Sequence, residues 1–150
     1  MKIIEYINLL IDLEINISKI YRVFSDNNYD DHIFWRQLSN EESNHASLLE
    51  TCIDFVNTDL DVSVIIPDNI ENLIESNNKL IELREEYSKI LGRDLSFEIA
   101  MNIESNVSEI HYQEVMTSKI KSNKILNIIK KLNNEDINHY NRIKNYYESI

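Results

Sequence analysis

Apolar residues recur along most of this chain in alternating steps of three and four, the spacing that lines one face of an α-helix. The first such stripe reads Ile3, Ile7, Leu10, Glu14, Ile17, Tyr21, Phe24 and predicts a helix from about Ile3 to Asp26. The short polar run Ser25-Asp26-Asn27-Asn28 ends it, and so brief a connection makes the next helix an antiparallel neighbour. A second helix, about Asp30 to Asn57, carries Trp35, Leu38, Glu42, His45, Leu49, Cys52 and Val56, with Asp30 and Asp31 placed to suit its N-terminal dipole. From Thr58 to Pro67 the pattern fades into the β-branched run Val62-Ser63-Val64-Ile65-Ile66, which predicts an extended connector.

Ile70, Leu73, Ile74, Leu80, Ile81, Tyr87 and Leu91 then mark one side of a supporting helix, interrupted by Asn77 and Arg84 and closed by Gly92 as a C-terminal residue. A fourth helix, about Ser96 to Ser118 with Asp94 or Ser96 as its cap, shows Phe97, Met101, Glu104, Ser108, His111 and Val115. The last, about Lys121 to Ser149, shows Ile125, Ile129, Leu132, Asp136, His139, Ile143 and Tyr146. The pattern is that of one all-α domain, 1–150, with a long crossover that carries an additional helix.

Four of the five stripes share one anomaly. Glu14, Glu42, His45, Glu104, Asp136 and His139 occupy slots where the periodicity asks for Leu or Ile. Glu42 and His45 are three residues apart, as are Asp136 and His139, so each pair leaves one helix face about a turn apart. In chain order the helices offer a carboxylate, a carboxylate-x-x-His, a carboxylate and a carboxylate-x-x-His, a repeat that suggests a pseudo-twofold site. Carboxylates on a core stripe are unfavourable unless cations meet them, each costing several kcal/mol when buried unpaired. Two divalent cations would supply the four matching charges, and neutral imidazoles would add ligands without charge. Such O and N donors suit iron or manganese, and zinc also accepts them. Single Glu residues from two helices and Glu-x-x-His from two others form the di-metal plan of ferritin-like four-helix bundles.

Composition agrees. One Gly and one Pro in 150 residues favour long helices over tight turns. The lone Cys52 excludes an internal disulfide and a rubredoxin-type site of four thiolates. A net charge of -11 argues against nucleic acid or an anionic membrane as partner. No stretch approaches the ~20 apolar residues that span a bilayer, and Glu5, Asp12 and Glu14 break up the apolar N-terminus, so a cytoplasmic protein is expected.

The stretches LEINISKIYRVF, NEESNHASLLE, AMNIESNVSEIHYQEV and LNNEDINHYNRI resemble the rubrerythrin-like branch of the ferritin-like superfamily. The resemblance covers the chain apart from the connector and the helix at 70–91. It implies Glu14 and Glu104 as single-carboxylate ligands, with Glu42, His45, Asp136 and His139 completing the site and one carboxylate pair bridging the metals. It further implies that Tyr21 and Tyr112, about two turns beyond each single Glu, hydrogen-bond to ligand carboxylates. Asp136 stands where the family has Glu; Glu135 is a possible substitute but falls off the stripe, and Asp136 is preferred. Val107 occupies the position of the extra Glu that rubrerythrins use when metals move with redox state, and Glu109 is not at helical spacing to replace it. The implied activity is that of a di-iron oxidoreductase reducing hydrogen peroxide or dioxygen. Two iron ions, or manganese or zinc, are its cofactors, and an external electron-donor protein is its partner. An iron-binding, ferroxidase or storage protein is the alternative.

Outside this set, His111 is expected to be a buried, hydrogen-bonded histidine, His32 an exposed one and Cys52 a small core residue. The clusters Lys119-Lys121-Lys124 and Lys130-Lys131 are expected on solvated faces. Tyr29, Tyr146 and Tyr147 are candidate exposed aromatics for a homodimer.

Overall fold

A computed structural model describes the backbone of residues 2–58, 70–87, 92–117 and 123–149, and the side chains of 3–56, 70–87, 92–110 and 124–149. The chain is all-α. Its helices are α1 (Lys2–Asn27), α2 (His32–Thr58), α3 (Ile70–Glu86), α4 (Arg93–Thr117) and α5 (Asn123–Glu148), with a 3-10 turn, Tyr29–Asp31, ahead of α2. Among the described residues no helix is long and apolar enough to cross a membrane. The connector at 59–67, the side chains of His111 and Tyr112, and Lys119 and Lys121 lie outside the described residues.

The helices assemble in a bundle-like way from two hairpins. α1 runs antiparallel to α2, and α4 to α5; α2 lies against α5, while α1 touches α4 and carries α3 on its outer side. This placement explains why α1 is buried more widely than one stripe predicts. Ile7, Leu10, Ile17, Tyr21 and Phe24 face the centre, and Tyr6, Ile11, Leu13 and Ile20 are buried as well. The α3 contact is partly polar: Asn77 Nδ2 donates to the Leu9 carbonyl at 3.0 Å, and Asn16 Nδ2 donates to Asn77 Oδ1 at 3.0 Å. Asn77, an interruption in the periodicity, is thus satisfied in the interface.

An aromatic plug closes the end where α1 meets α2. Trp35, fully buried, lies 5.6 Å from Tyr21, 5.1 Å from Phe24 and 4.8 Å from Phe97 between ring centroids, within the range of favourable ring pairs. Phe34 stacks on Tyr146 at 4.0 Å and Phe97 on Tyr147 at 4.9 Å. Tyr146 and Tyr147 are therefore half-buried and engaged within the chain, which corrects the expectation that they are exposed; Tyr29, 90% exposed, is as expected.

Three further expectations change. Gly92 does not close α3: it precedes α4, where its carbonyl accepts from the Ser96 N–H at 3.2 Å and the Ser96 hydroxyl at 3.3 Å, and α4 starts at Arg93 rather than Ser96. Ile74 and Ile81 are exposed, because α3 buries only the narrow line Leu73, Asn77, Leu80 against a single neighbour. Asp31 does more than favour a helix dipole. It is buried, takes Arg93 Nε at 2.6 Å and Nη2 at 3.3 Å, and accepts the Tyr146 hydroxyl at 3.0 Å, so it ties the start of α2 to α4 and α5. His32 is exposed and Cys52 buried, as expected; burial pushes the Cys52 thiol up to about 11, which keeps it protonated and unreactive.

Candidate metal centre

All six inward polar residues meet in the interior, midway along the helices. Glu14 on α1, Glu42 on α2, Glu104 on α4 and Asp136 on α5 have no exposed surface, and His45 and His139 are 2% exposed. They form two overlapping quartets, Glu14–Glu42–His45–Asp136 and Glu42–Glu104–Asp136–His139. Within each quartet one ligand atom per residue lies within 4.8 Å of all the others, so each could hold a metal ion. Glu42 and Asp136 belong to both.

Glu42 divides its two oxygens between the halves. Its Oε2 lies 3.1 Å from His45 Nδ1, and its Oε1 lies 2.7 Å from His139 Nδ1. Glu14 Oε2 lies 3.6 Å from the same His45 nitrogen, and Glu104 Oε1 lies 3.6 Å from the same His139 nitrogen. The imidazoles stack nearly parallel, 5.2 Å apart at 13°. Both present Nδ1 to the carboxylates and Nε2 away from them.

The Nε2 atoms meet a second pair of carboxylates. His45 Nε2 makes a very short contact with Glu135 of α5, and His139 Nε2 lies 3.2 Å from Glu41 Oε2 of α2. Arg142 Nη1 also donates to Glu41 Oε2, at 2.8 Å. Each helix therefore carries an acidic doublet, Glu41-Glu42 or Glu135-Asp136, whose second member points inward while the first reaches across to the imidazole of the other helix. A carboxylate on Nε2 holds the ring in place and fixes the proton there when the imidazole is neutral, leaving Nδ1 as the ligand atom. The preference for Asp136 over Glu135 as the inward carboxylate matches the burial of the two. Glu135 instead acts on His45, and Glu41 is a residue the helical pattern did not single out. The signal for both was in view: an acid pair with His three residues after its second member, present on α2 and again on α5.

Tyr21 takes the place expected of it: its hydroxyl donates to Glu104 Oε1 at 2.5 Å. Burial, and then the negative charges of Glu104 and Glu42, push the phenol well above its usual range, so it stays a donor. The expected contact of Tyr112 with a ligand carboxylate lies outside the described residues.

Protons balance the charge when no cation is bound. Burial lowers the pKa of His45, but hydrogen bonds to Glu14 and Glu42 and the charges of both acids outweigh it and carry the imidazole up to about 12. His139 goes the same way, burial opposing and Glu104 and Glu42 prevailing, to about 10. Burial raises the Glu104 carboxyl, His139 pulls it back and Asp136 adds to the rise. Among the described residues every salt-bridge partner of Glu42 and Glu104 is an imidazole rather than Lys or Arg. Glu104 Oε2 is buried with no hydrogen-bond partner among the described residues, a state unfavourable by about 1–3 kcal/mol or more for a charged group. An oxygen and nitrogen donor set that excess protons hold together, with one carboxylate oxygen orphaned, fits a cation.

Comparison of the chain with protein-family models, with curated proteins and with solved structures finds no match.

Proposed function

We propose that the chain is a ferritin-like four-helix bundle whose interior holds two iron ions, and that it works as a di-iron oxidoreductase reducing hydrogen peroxide or dioxygen. The observation that carries this reading is the division of Glu42 between two quartets, one carboxylate oxygen facing each imidazole. Glu14 and His45 would hold one ion, Glu104 and His139 the other, with Glu42 and Asp136 between them. Iron in such a site supplies the electrons for reducing an oxidant, and the redox chemistry belongs to the metal.

The residues of the chain do the rest. Glu135 and Glu41 hold His45 and His139 in orientation through Nε2. Tyr21 fixes one oxygen of Glu104 and leaves the other open. Trp35, Tyr21 and Phe97 keep water from one end of the site. The two imidazoles surrender the protons they hold in the cation-free protein, so uptake of metal is coupled to proton release. Electrons would come from a separate donor protein, and a homodimer is the assembly we expect; a many-subunit cage would instead mark an iron-storage protein. Manganese or zinc fits the same donors, with manganese the closer in chemistry.

Anaerobic Fe(II) titration, followed by peroxide and an added chemical reductant, tests the reading. Saturation at one ion per quartet and repeated peroxide consumption are expected. Tight binding without turnover would point to storage, and an absence of tight Fe(II) binding would remove the metal centre altogether.

A further inference from the structure

The carboxylate centre is fully buried, the aromatic plug closes one end of the helices, and the described seams between helices differ in what they would let through. Between α1 and α2, Ser18 donates to the Ser39 carbonyl at 2.8 Å, Ser39 donates to the Ser18 carbonyl at 2.8 Å, and the Ser43 hydroxyl sits 2.9 Å from Ser18 Oγ. That seam is shut. Between α2 and α5 the crossed imidazole–carboxylate contacts and Arg142 fill the space. Beside α3 and α4 lies a groove of about 460 Å³ lined by Leu13, Leu80, Ile103 and Val107 together with Lys79 and Glu109, and none of the six inward residues is among its described walls.

The seam between α4 and α5 is different. It holds a cleft of about 420 Å³ that has Glu104 among its walls. Ser108, Asn133 and Tyr140 are half-buried along it, and Ser105, Glu109 and Ile137 are exposed at its mouth. Ser108 Oγ and Asn133 Oδ1 are 3.5 Å apart, at the outer limit of a hydrogen bond, so the contact is easily parted. Among the described residues no Lys or Arg lines the cleft, and its volume has room for roughly a dozen waters at ~30 Å³ each. Most of its side chains carry an oxygen, the donor that hard divalent cations take in place of water. Glu104, one of the residues of its wall, keeps a buried Oε2 that has no hydrogen-bond partner among the described residues.

We infer that this cleft is the route by which hydrated divalent cations reach the buried carboxylates. Glu109 collects them at the mouth, Ser108 and Asn133 part to admit them, and Glu104 is the first carboxylate they meet. The inference rests on the metal-centre reading proposed above and adds a path and a direction of loading to it. The net charge of -11 raises the local cation concentration, and the exposed Glu109, which also borders the groove beside α3, adds a negative charge at this mouth.

The test is stopped-flow uptake of Co(II), followed by its visible absorption, by the metal-free chain. Ser108→Leu, which plugs the cleft, is expected to slow uptake about 10-fold, the lower end of what a charged cleft contributes to association, with the final number of bound ions unchanged. Ile137→Lys places a positive charge at an exposed position of the mouth without touching the interior, and its slowing should shrink as salt is added. Asn106→Lys puts the same charge on α4 in the groove beside α3 and should leave the rate as in the wild type. The route is overturned if both cleft variants load at the wild-type rate, or if Asn106→Lys slows loading as much as Ile137→Lys. A wild-type chain that binds no Co(II) overturns the metal centre itself, and the route with it.

Discussion

The two hairpins contribute matching ligands through unlike walls. α1 and α2 supply Glu14 and Glu42-x-x-His45, and α4 and α5 supply Glu104 and Asp136-x-x-His139. Around the first set the helices are drawn together by reciprocal serine-to-carbonyl hydrogen bonds. Around the second the corresponding polar contact, Ser108 with Asn133, is long, and a cleft opens beside it. Small side chains set how closely helix axes approach, so three serines on one seam suffice to shut it. Symmetric chemistry at the centre therefore does not require symmetric packing around it, and the looser hairpin is the one with a path to solvent.

The largest break in the comparison comes from the carboxylates. Glu42→Ala or Asp136→Ala removes a member of both quartets and is expected to abolish tight binding of both ions, whereas Glu14→Ala or Glu104→Ala should leave one; metal analysis after anaerobic loading counts them. Next are the crossed acids. Glu135→Gln should weaken the ion beside His45, and Glu41→Gln the ion beside His139, each by about 10–100-fold. Glu41→Gln is expected to be the more damaging, because Arg142 would lose the charge of Glu41 near His139. A titration in which both variants weaken the same ion would contradict the assignment of halves.

The pH dependence separates metal-free from loaded protein. Both imidazoles have folded-state pKa values above the ordinary 6.5, so their stabilisation is full below pH 6.5 and is lost as pH rises, toward about 10 for His139 and about 12 for His45. The chelated protein should thus lose Tm on going from pH 6.5 to 10. With Mn(II) at about 100 times its Kd, each site adds about 2.7 kcal/mol, and since binding displaces those protons the increment should grow with pH. Differential scanning fluorimetry at several pH values reads both slopes, and parallel slopes would count against cation–proton exchange at this site.

Smaller effects probe the walls. Tyr21→Phe removes the donor to Glu104 Oε1 and should destabilise the metal-free chain by about 1.5–3 kcal/mol, the worth of a hydrogen bond to a charged group, as measured by urea unfolding. Ser18→Ala should cost about 1 kcal/mol, while Ser108→Ala, at a contact of 3.5 Å, should cost close to nothing. Equal losses at the two serines would mean that the hairpins are sealed alike.

Much of this was legible in the one-dimensional pattern. Helical spacing is a local property, so a polar residue in an apolar slot announces that its side chain points inward whatever the neighbouring helices do. Glu14, Glu42, His45, Glu104, Asp136 and His139 could be read that way, and so could the antiparallel pairing of α1 with α2 from the brevity of their connection. Periodicity is silent on the residues that work across helices. Glu41 and Glu135 sit beside the stripe, partly exposed, and acquire a role only because α2 and α5 lie close enough for each to reach the other's imidazole. Asp31 and Arg93 are 62 positions apart and meet only when the ends of α2 and α4 are brought together. Tyr146 and Tyr147 looked available for a partner until Phe34 and Phe97 covered them. The inward-facing donors were thus decided by spacing along single helices. Their orientation and their protonation were decided by distances between helices, which no single helix encodes.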